Sequence, residues 1–111
     1  MIKVSDYIIQ YLASKGVNHP FLLPGGQSMH LVNSIRSNPD MEPVTVLHEQ
    51  AASMMAETYS RITNNYGLCV VSTGPGGTNC VTGLIGAWLD STPCMFISGQ
   101  FGTKNLGQKK G

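Results

Sequence analysis

The chain is built on a repeating contrast. Short, almost uninterrupted apolar runs end at glycine or polar turns, and each is followed by a segment of helical spacing. The runs are Phe21-Leu22-Leu23, Val44-Thr45-Val46-Leu47, Gly67-Leu68-Cys69-Val70-Val71-Ser72 and Cys94-Met95-Phe96-Ile97-Ser98. A strand that alternates polar and apolar residues can leave one face in water. A continuous apolar run has to be covered on both faces. Strands of that kind, separated by helices, build an open parallel sheet with helices on both faces. The predicted class is therefore α/β, and in such sheets ligands bind at the carboxyl ends of the strands.

Helical spacing fills the gaps. Val4, Tyr7, Ile8, Tyr11 and Leu12 share one face of a first helix, with Ser5 or Asp6 to cap it and Gly16 to stop it. Ser28 can cap a second helix with Leu31, Val32 and Ile35 inward, ended by Asn38-Pro39. A third opens at His48-Glu49-Gln50 and carries Ala52, Met55, Ala56 and Tyr59 on one face. Its small inward residues allow a close neighbour. A fourth sets Val81, Leu84, Ile85, Trp88 and Leu89 on one face. Met41, Met54, Met55 and Met95 read as core or gap-filling residues. Residues 101–111 read as a loop.

Charge narrows the function. Only 12% of the 111 residues are charged and the net charge is +1, against a usual charged share of about 25%. That excludes the clustered cations of a nucleic-acid surface. From Ile62 to Thr103 Asp90 is the lone formal charge, so this stretch is expected to be core or to be covered by something else. Cys69, Cys80 and Cys94 are odd in number and lack a C-x-x-C spacing, which points to reduced core thiols. Met1-Ile2-Lys3-Val4 runs into polar Ser5-Asp6, and no apolar stretch reaches membrane-spanning length. The expected compartment is the cytoplasm.

Two strand ends carry candidate chemistry. The turn Thr73-Gly74-Pro75-Gly76-Gly77-Thr78-Asn79 leads from a strand into a helix. It either cradles a ligand at a helix N-terminus or only lets the helix pack on the sheet. It lacks the Gly-Lys-Ser/Thr of a nucleotide loop, and Asn79 stands where a dinucleotide fingerprint needs its third glycine. Glu49 follows an apolar strand at the start of a helix. It either complements the helix dipole or serves as a carboxylate of perturbed pKa that exchanges a proton with a ligand nitrogen. His48 reads as structural or as a base. No metal-ligand spacing and no Ser-His-Asp arrangement is present.

Taken in order, Pro24-Gly25-Gly26, His48-Glu49-Gln50-Ala51-Ala52, Ala56-Glu57-Thr58-Tyr59-Ser60-Arg61, Ser72-Thr73-Gly74-Pro75-Gly76-Gly77-Thr78-Asn79, Leu89-Asp90-Ser91-Thr92-Pro93 and Ser98-Gly99-Gln100 resemble a known family. It is the N-terminal pyrimidine-binding domain of thiamine-diphosphate-dependent enzymes of the acetolactate synthase type. The resemblance implies that residues 1–111 are the N-terminal part of such a domain, with an incomplete thiamine-diphosphate-binding fold. By it, Glu49 would hydrogen-bond N1′ of the cofactor's aminopyrimidine and favour the imino tautomer that takes up the C2 proton. Gly25, Ser72, Pro75 and Asn79 match positions that line the aminopyrimidine and the dimer contact around it.

The resemblance also implies partners. The diphosphate and its Mg2+ would sit on a Gly-Asp-Gly…Asn domain that this chain does not carry, usually from a second subunit of a homo-oligomer. FAD is a further cofactor among such enzymes, and no residue here indicates it. The implied activity is decarboxylation or carboligation of a small 2-keto acid, with this segment inactive alone. Gln100-Phe101-Gly102 departs from the synthases' Gln-Val-Pro, which leaves the particular substrate open. A non-catalytic dimerisation or interaction module, or one subunit of a split enzyme, would use the same residues.

Overall fold

The computed structural model describes residues 1–105. The first helix, α1, spans Val4–Ser14. It ends in a reversal at Gly16, whose φ is +78°. The Gly16 and Val17 amides donate back to the Ala13 and Leu12 carbonyls at 2.9 and 3.0 Å, which satisfies the last turn. Strand β1 is Pro20–Leu22. A 3-10 turn, Gly26–Ser28, leads into α2, Met29–Ser37. Strand β2 is only Val44–Thr45, although the Val46 amide still donates to the Leu22 carbonyl. Then come α3, Glu49–Thr63, and β3, Gly67–Val71. A single helical turn, α4, Pro75–Thr78, precedes α5, Val81–Leu89. Strand β4 is Cys94–Ser98. A 3-10 turn occupies Thr103–Asn105. The rest of the loop expected over 101–111 lies outside the described residues.

All strand pairings are parallel, in the order β2-β1-β3-β4. The α/β class with an open parallel sheet and helices on both faces is what the apolar runs predicted. Strand β3 is buried along its whole length, and its side chains alternate between two cores. Leu68 and Val70 join Ile9, Leu12, Leu22 and Ile35 under α1 and α2. Cys69 and Val71 join Phe21, Ala52, Ala56 and Cys80 under α3 and α5.

The structure corrects four expectations here. The buried residues of α1 are Ile9 and Leu12, whereas Val4, Tyr7 and Tyr11 face solvent. The spacing was helical, but the face was misjudged by one position. Neither Ser5 nor Asp6 caps α1; Lys3 stands at the cap, and the Ser34 hydroxyl joins Ser5 and Asp6 to α2 instead. Ser28 does precede α2, but its hydroxyl bonds Gly25 rather than the helix amides. Of the methionines read as core, Met41 is buried while Met54, Met55 and Met95 are exposed.

The predicted apolar face of α5 exists and points outward. Val81, Leu84, Ile85, Trp88 and Leu89 are all exposed, Trp88 by 82%. Gly83 and Ala87 are the buried residues. A Cβ at Gly83 would stand 2.6 Å from the Ser53 Cβ, so α5 approaches α3 closely through its small residues. At the far end, Arg61 of α3 bridges Glu57 and Asp90. The one charge between Ile62 and Thr103 is thus paired.

Candidate functional site

The strand order reverses direction between β1 and β3, and open α/β sheets form their ligand crevice at such a switch point. Two turns meet there. After β1, Gly25 lies so close to β3's end that a Cβ on it would stand 2.5 Å from the Ser72 Cβ. The Ser28 hydroxyl accepts from the Gly25 amide at 3.2 Å and donates to the Gly25 carbonyl at 3.1 Å, which holds that turn shut. After β3, Gly74 turns the chain with φ +62°, and Pro75 takes the first position of α4, where its missing N–H costs nothing. The Asn79 amide donates to the Pro75 carbonyl at 2.9 Å, which fixes where the Asn79 side chain starts.

On the neighbouring side, α3 begins directly after His48. The His48 Nδ1 accepts from the Gln50 amide at 3.1 Å and caps the helix. This is the structural reading of His48. Glu49 occupies the first turn, where a carboxylate complements the helix dipole. Its Oε2 accepts a 2.9 Å hydrogen bond from Asn79 Nδ2. The Asn79 bond is the main reason the carboxyl is held below its ordinary pKa. Partial burial opposes it, while the residue's own amide and His48 assist. The second oxygen, Oε1, has no hydrogen-bond partner among the described residues, and it looks over Gly76.

Gly76 joins the two turns. A Cβ there would lie 3.3 Å from the Ser72 Cβ and 3.7 Å from Glu49 Oε1. The structure therefore gathers Glu49, Asn79 and Ser72 around one buried glycine, with Gly25 against Ser72. Pro75 is exposed and touches the site only through its carbonyl. The expected site residues did not include Gly76. Three glycines in one turn are a signal of close approach, and the structure shows that Gly74 alone supplies the positive φ, which leaves Gly76 to the approach. Gln27 was also omitted; its Oε1 lies 3.5 Å from the Ser72 hydroxyl. No local pattern marked it. A cleft of about 420 Å³ beside Pro24, Gly25 and Gly26 is walled by Met29, Val32 and Arg36 of α2. Neither Glu49 nor Asn79 lines it.

An ionised carboxylate with one oxygen engaged and the other uncommitted can accept a hydrogen bond from a ligand N–H. It stands at the switch point of a parallel sheet, beside a glycine turn, which is where open α/β sheets as a class bind their ligands. Among the described residues no helix is long and apolar enough to cross a membrane, and no three His, Cys, Asp or Glu side chains gather as a metal cluster would need.

Comparison with known proteins makes this class specific. Residues 2–110 match the family described as thiamine pyrophosphate enzyme, N-terminal TPP binding domain, and the chain belongs to that family. It is similar to acetolactate synthase large subunits. The Buchnera aphidicola (Schizaphis graminum) protein is 37% identical over 103 residues, covering 93% of this chain and 18% of the relative. The Escherichia coli isozyme 3 large subunit is 35% identical over 107 residues, 96% of this chain and 19% of the relative. The chloroplastic acetolactate synthase 2 of Nicotiana tabacum is 38% identical over 105 residues, 95% of this chain and 16% of the relative. The chain thus spans less than a fifth of the length of these relatives.

Proposed function

We propose that this chain supplies the aminopyrimidine half of a thiamine-diphosphate site, in an enzyme that decarboxylates or ligates a small 2-keto acid. The observation that carries the reading is the Glu49–Asn79 bond, which leaves Oε1 open over Gly76. The residues fit an aminopyrimidine: an uncommitted carboxylate oxygen lies beside the bare backbone of Gly76, where an added Cβ would stand 3.7 Å from it. Glu49 would hold N1′, and Asn79 keeps the Glu49 carboxylate oriented and ionised. Gly25, Ser72, Pro75 and Gly76 would shape the cradle. When bound, the cofactor supplies the nucleophilic carbon and the electron sink for breaking a bond beside a keto group. The protein's own part is to position the ring, to keep water from competing for Glu49, and to exchange a proton at N1′.

The diphosphate and Mg2+ are assigned to a domain outside these 111 residues, on this subunit or another. The uncharged outer face of α5 is assigned to subunit contact, supported by its five exposed large apolar side chains. The isolated chain is then expected to be inactive and to give no tight thiamine-diphosphate binding by calorimetry.

The test is proton exchange at C2 of the cofactor in the assembled enzyme. Glu49→Gln keeps the shape and removes the proton acceptor. Exchange is expected to be suppressed, and a wild-type rate in that variant overturns the assignment.

A further inference from the structure

The site just described uses none of the three thiols, yet two of them touch. Cys69 Sγ on β3 lies 3.7 Å from Cys80 Sγ, which stands just before α5. Both are free and buried in the core under α3 and α5. The segment between them, Val70 through Asn79, contains the whole strand-to-helix turn of the candidate site. Cys80 follows Asn79 directly, and its Sγ also contacts the Gly76 carbonyl at 3.4 Å and the Glu49 carbonyl at 3.6 Å. The two thiols therefore flank the candidate turn and touch each other, and Cys80 also touches the backbone of Glu49 and Gly76.

We propose that Cys69 and Cys80 are a thiol–disulfide modification site that staples this turn when a peroxide-class oxidant reaches it. The chemistry balances without a further reactant. One thiol sulfur attacks a peroxide oxygen, giving a sulfenic acid and one water. The second thiol attacks that sulfur, the S–S bond forms, and a second water leaves. Two thiols lose two electrons, and hydrogen peroxide gains them. The sulfurs must close from 3.7 Å to about 2.05 Å. That approach draws the start of α5 toward β3 and takes Cys80 Sγ off the Glu49 and Gly76 carbonyls. Asn79, one residue before Cys80, is displaced with it, and its grip on Glu49 loosens.

Burial sets the rate. A protonated thiol in an apolar core is a poor nucleophile, so oxidation waits for local opening of the turn. Cys94 is a natural control. It is only half-buried at the start of β4, paired in register with Gly67, and it has no thiol within hydrogen-bonding reach among the described residues.

The experiment treats the assembled protein with hydrogen peroxide in native buffer until exposed Met54 is converted to its sulfoxide. The protein is then unfolded with iodoacetamide and cut with chymotrypsin. Cleavage after Leu68 and Leu84 gives a peptide, 69–84, that carries Cys69 and Cys80 but not Cys94. The expected product is that peptide, unalkylated and two hydrogens lighter than the dithiol, with Cys94 alkylated. Double alkylation of peptide 69–84 at that exposure, or bridging through Cys94, overturns the proposal.

Coupling to the site rests on the functional reading above and is measured separately. The oxidised protein should bind thiamine diphosphate severalfold more weakly, with recovery in dithiothreitol, and Cys80→Ala should show neither the bridge nor the weakening. A bridge with unchanged affinity overturns the coupling. A reduced protein that binds no thiamine diphosphate counts against the functional reading, while the peptide result still decides the bridge.

Discussion

The two faces of the sheet are packed by opposite rules. On the α1/α2 side, large side chains fill volume: Ile9, Leu12, Leu22, Ile35 and Met41 form a core with Leu68 and Val70. On the α3/α5 side, the helices bury Ala52, Ser53, Ala56, Gly83 and Ala87 and, apart from Tyr59 against Phe21, send their large residues outward. The first arrangement gains stability from buried apolar area. The second gains proximity. Close approach of α3, α5 and β3 brings the start of α3, with Glu49, within reach of Asn79 at the end of α4. The candidate site lies where small residues let three backbones converge, and the large residues displaced outward form the uncharged face of α5.

This contrast can be broken most severely at the close contacts. A Cβ on Gly67 would run into the Ala56 carbonyl, so Gly67→Ala is expected to cost 3 kcal/mol or more, about the upper end for overpacking. The measurement is urea unfolding of the chain. At Gly83 a Cβ would meet Ser53. Gly83→Ala should therefore destabilise by about 2 kcal/mol, although on an exposed helix the same change stabilises by about 1 kcal/mol. A stabilised variant would show that α5 does not sit against α3.

On the other face the failure is a void instead of a clash. Ile35 is 1% exposed, and Ile35→Ala should cost about 3 kcal/mol as lost transfer energy plus cavity. Cavities relax only partly, so Ile35→Val should recover most of the loss in the same assay.

A smaller effect is expected at the site. Asn79→Ala removes a hydrogen bond to a partly exposed carboxylate, worth about 1 kcal/mol at neutral pH. Because the folded pKa of Glu49 is depressed, its contribution is present above the unfolded pKa and is lost as pH falls through the folded one. The stability gap between wild type and variant should therefore narrow as the carboxyl protonates. A gap constant with pH would mean that Asn79 acts through packing alone. The smallest effect is expected on the outer face of α5: Trp88→Gln in the isolated chain should change stability by less than about 0.5 kcal/mol.

Much of the fold was legible in the sequence because continuous apolar runs leave a chain few options. Gly67–Val71 and Cys94–Ser98 were recognisable as parallel strands to within a residue, but only the first is buried along its length; Cys94–Ser98 is an edge strand whose residues are half-buried or exposed. The direction of helix faces was less legible. Spacing shows that Val81, Leu84, Ile85, Trp88 and Leu89 share a face, but not that Gly83 and Ala87 opposite them offer the closer contact to a small-faced α3. The same limit misplaced Tyr7 and Tyr11. At the site, Glu49 was a candidate from its place after a strand and Asn79 only through the family resemblance, and their contact spans 30 residues of sequence. That contact depends on how closely two helices approach, which no local pattern encodes.

The most direct test of the close-packed site is the titration of Glu49 itself, followed by carboxyl carbon NMR in the wild type and in Asn79→Ala. Glu49 is expected to titrate below the ordinary glutamate range in the wild type and to move upward in the variant. An ordinary Glu49 titration in the wild type, unmoved by the loss of Asn79, would contradict the close-packed site.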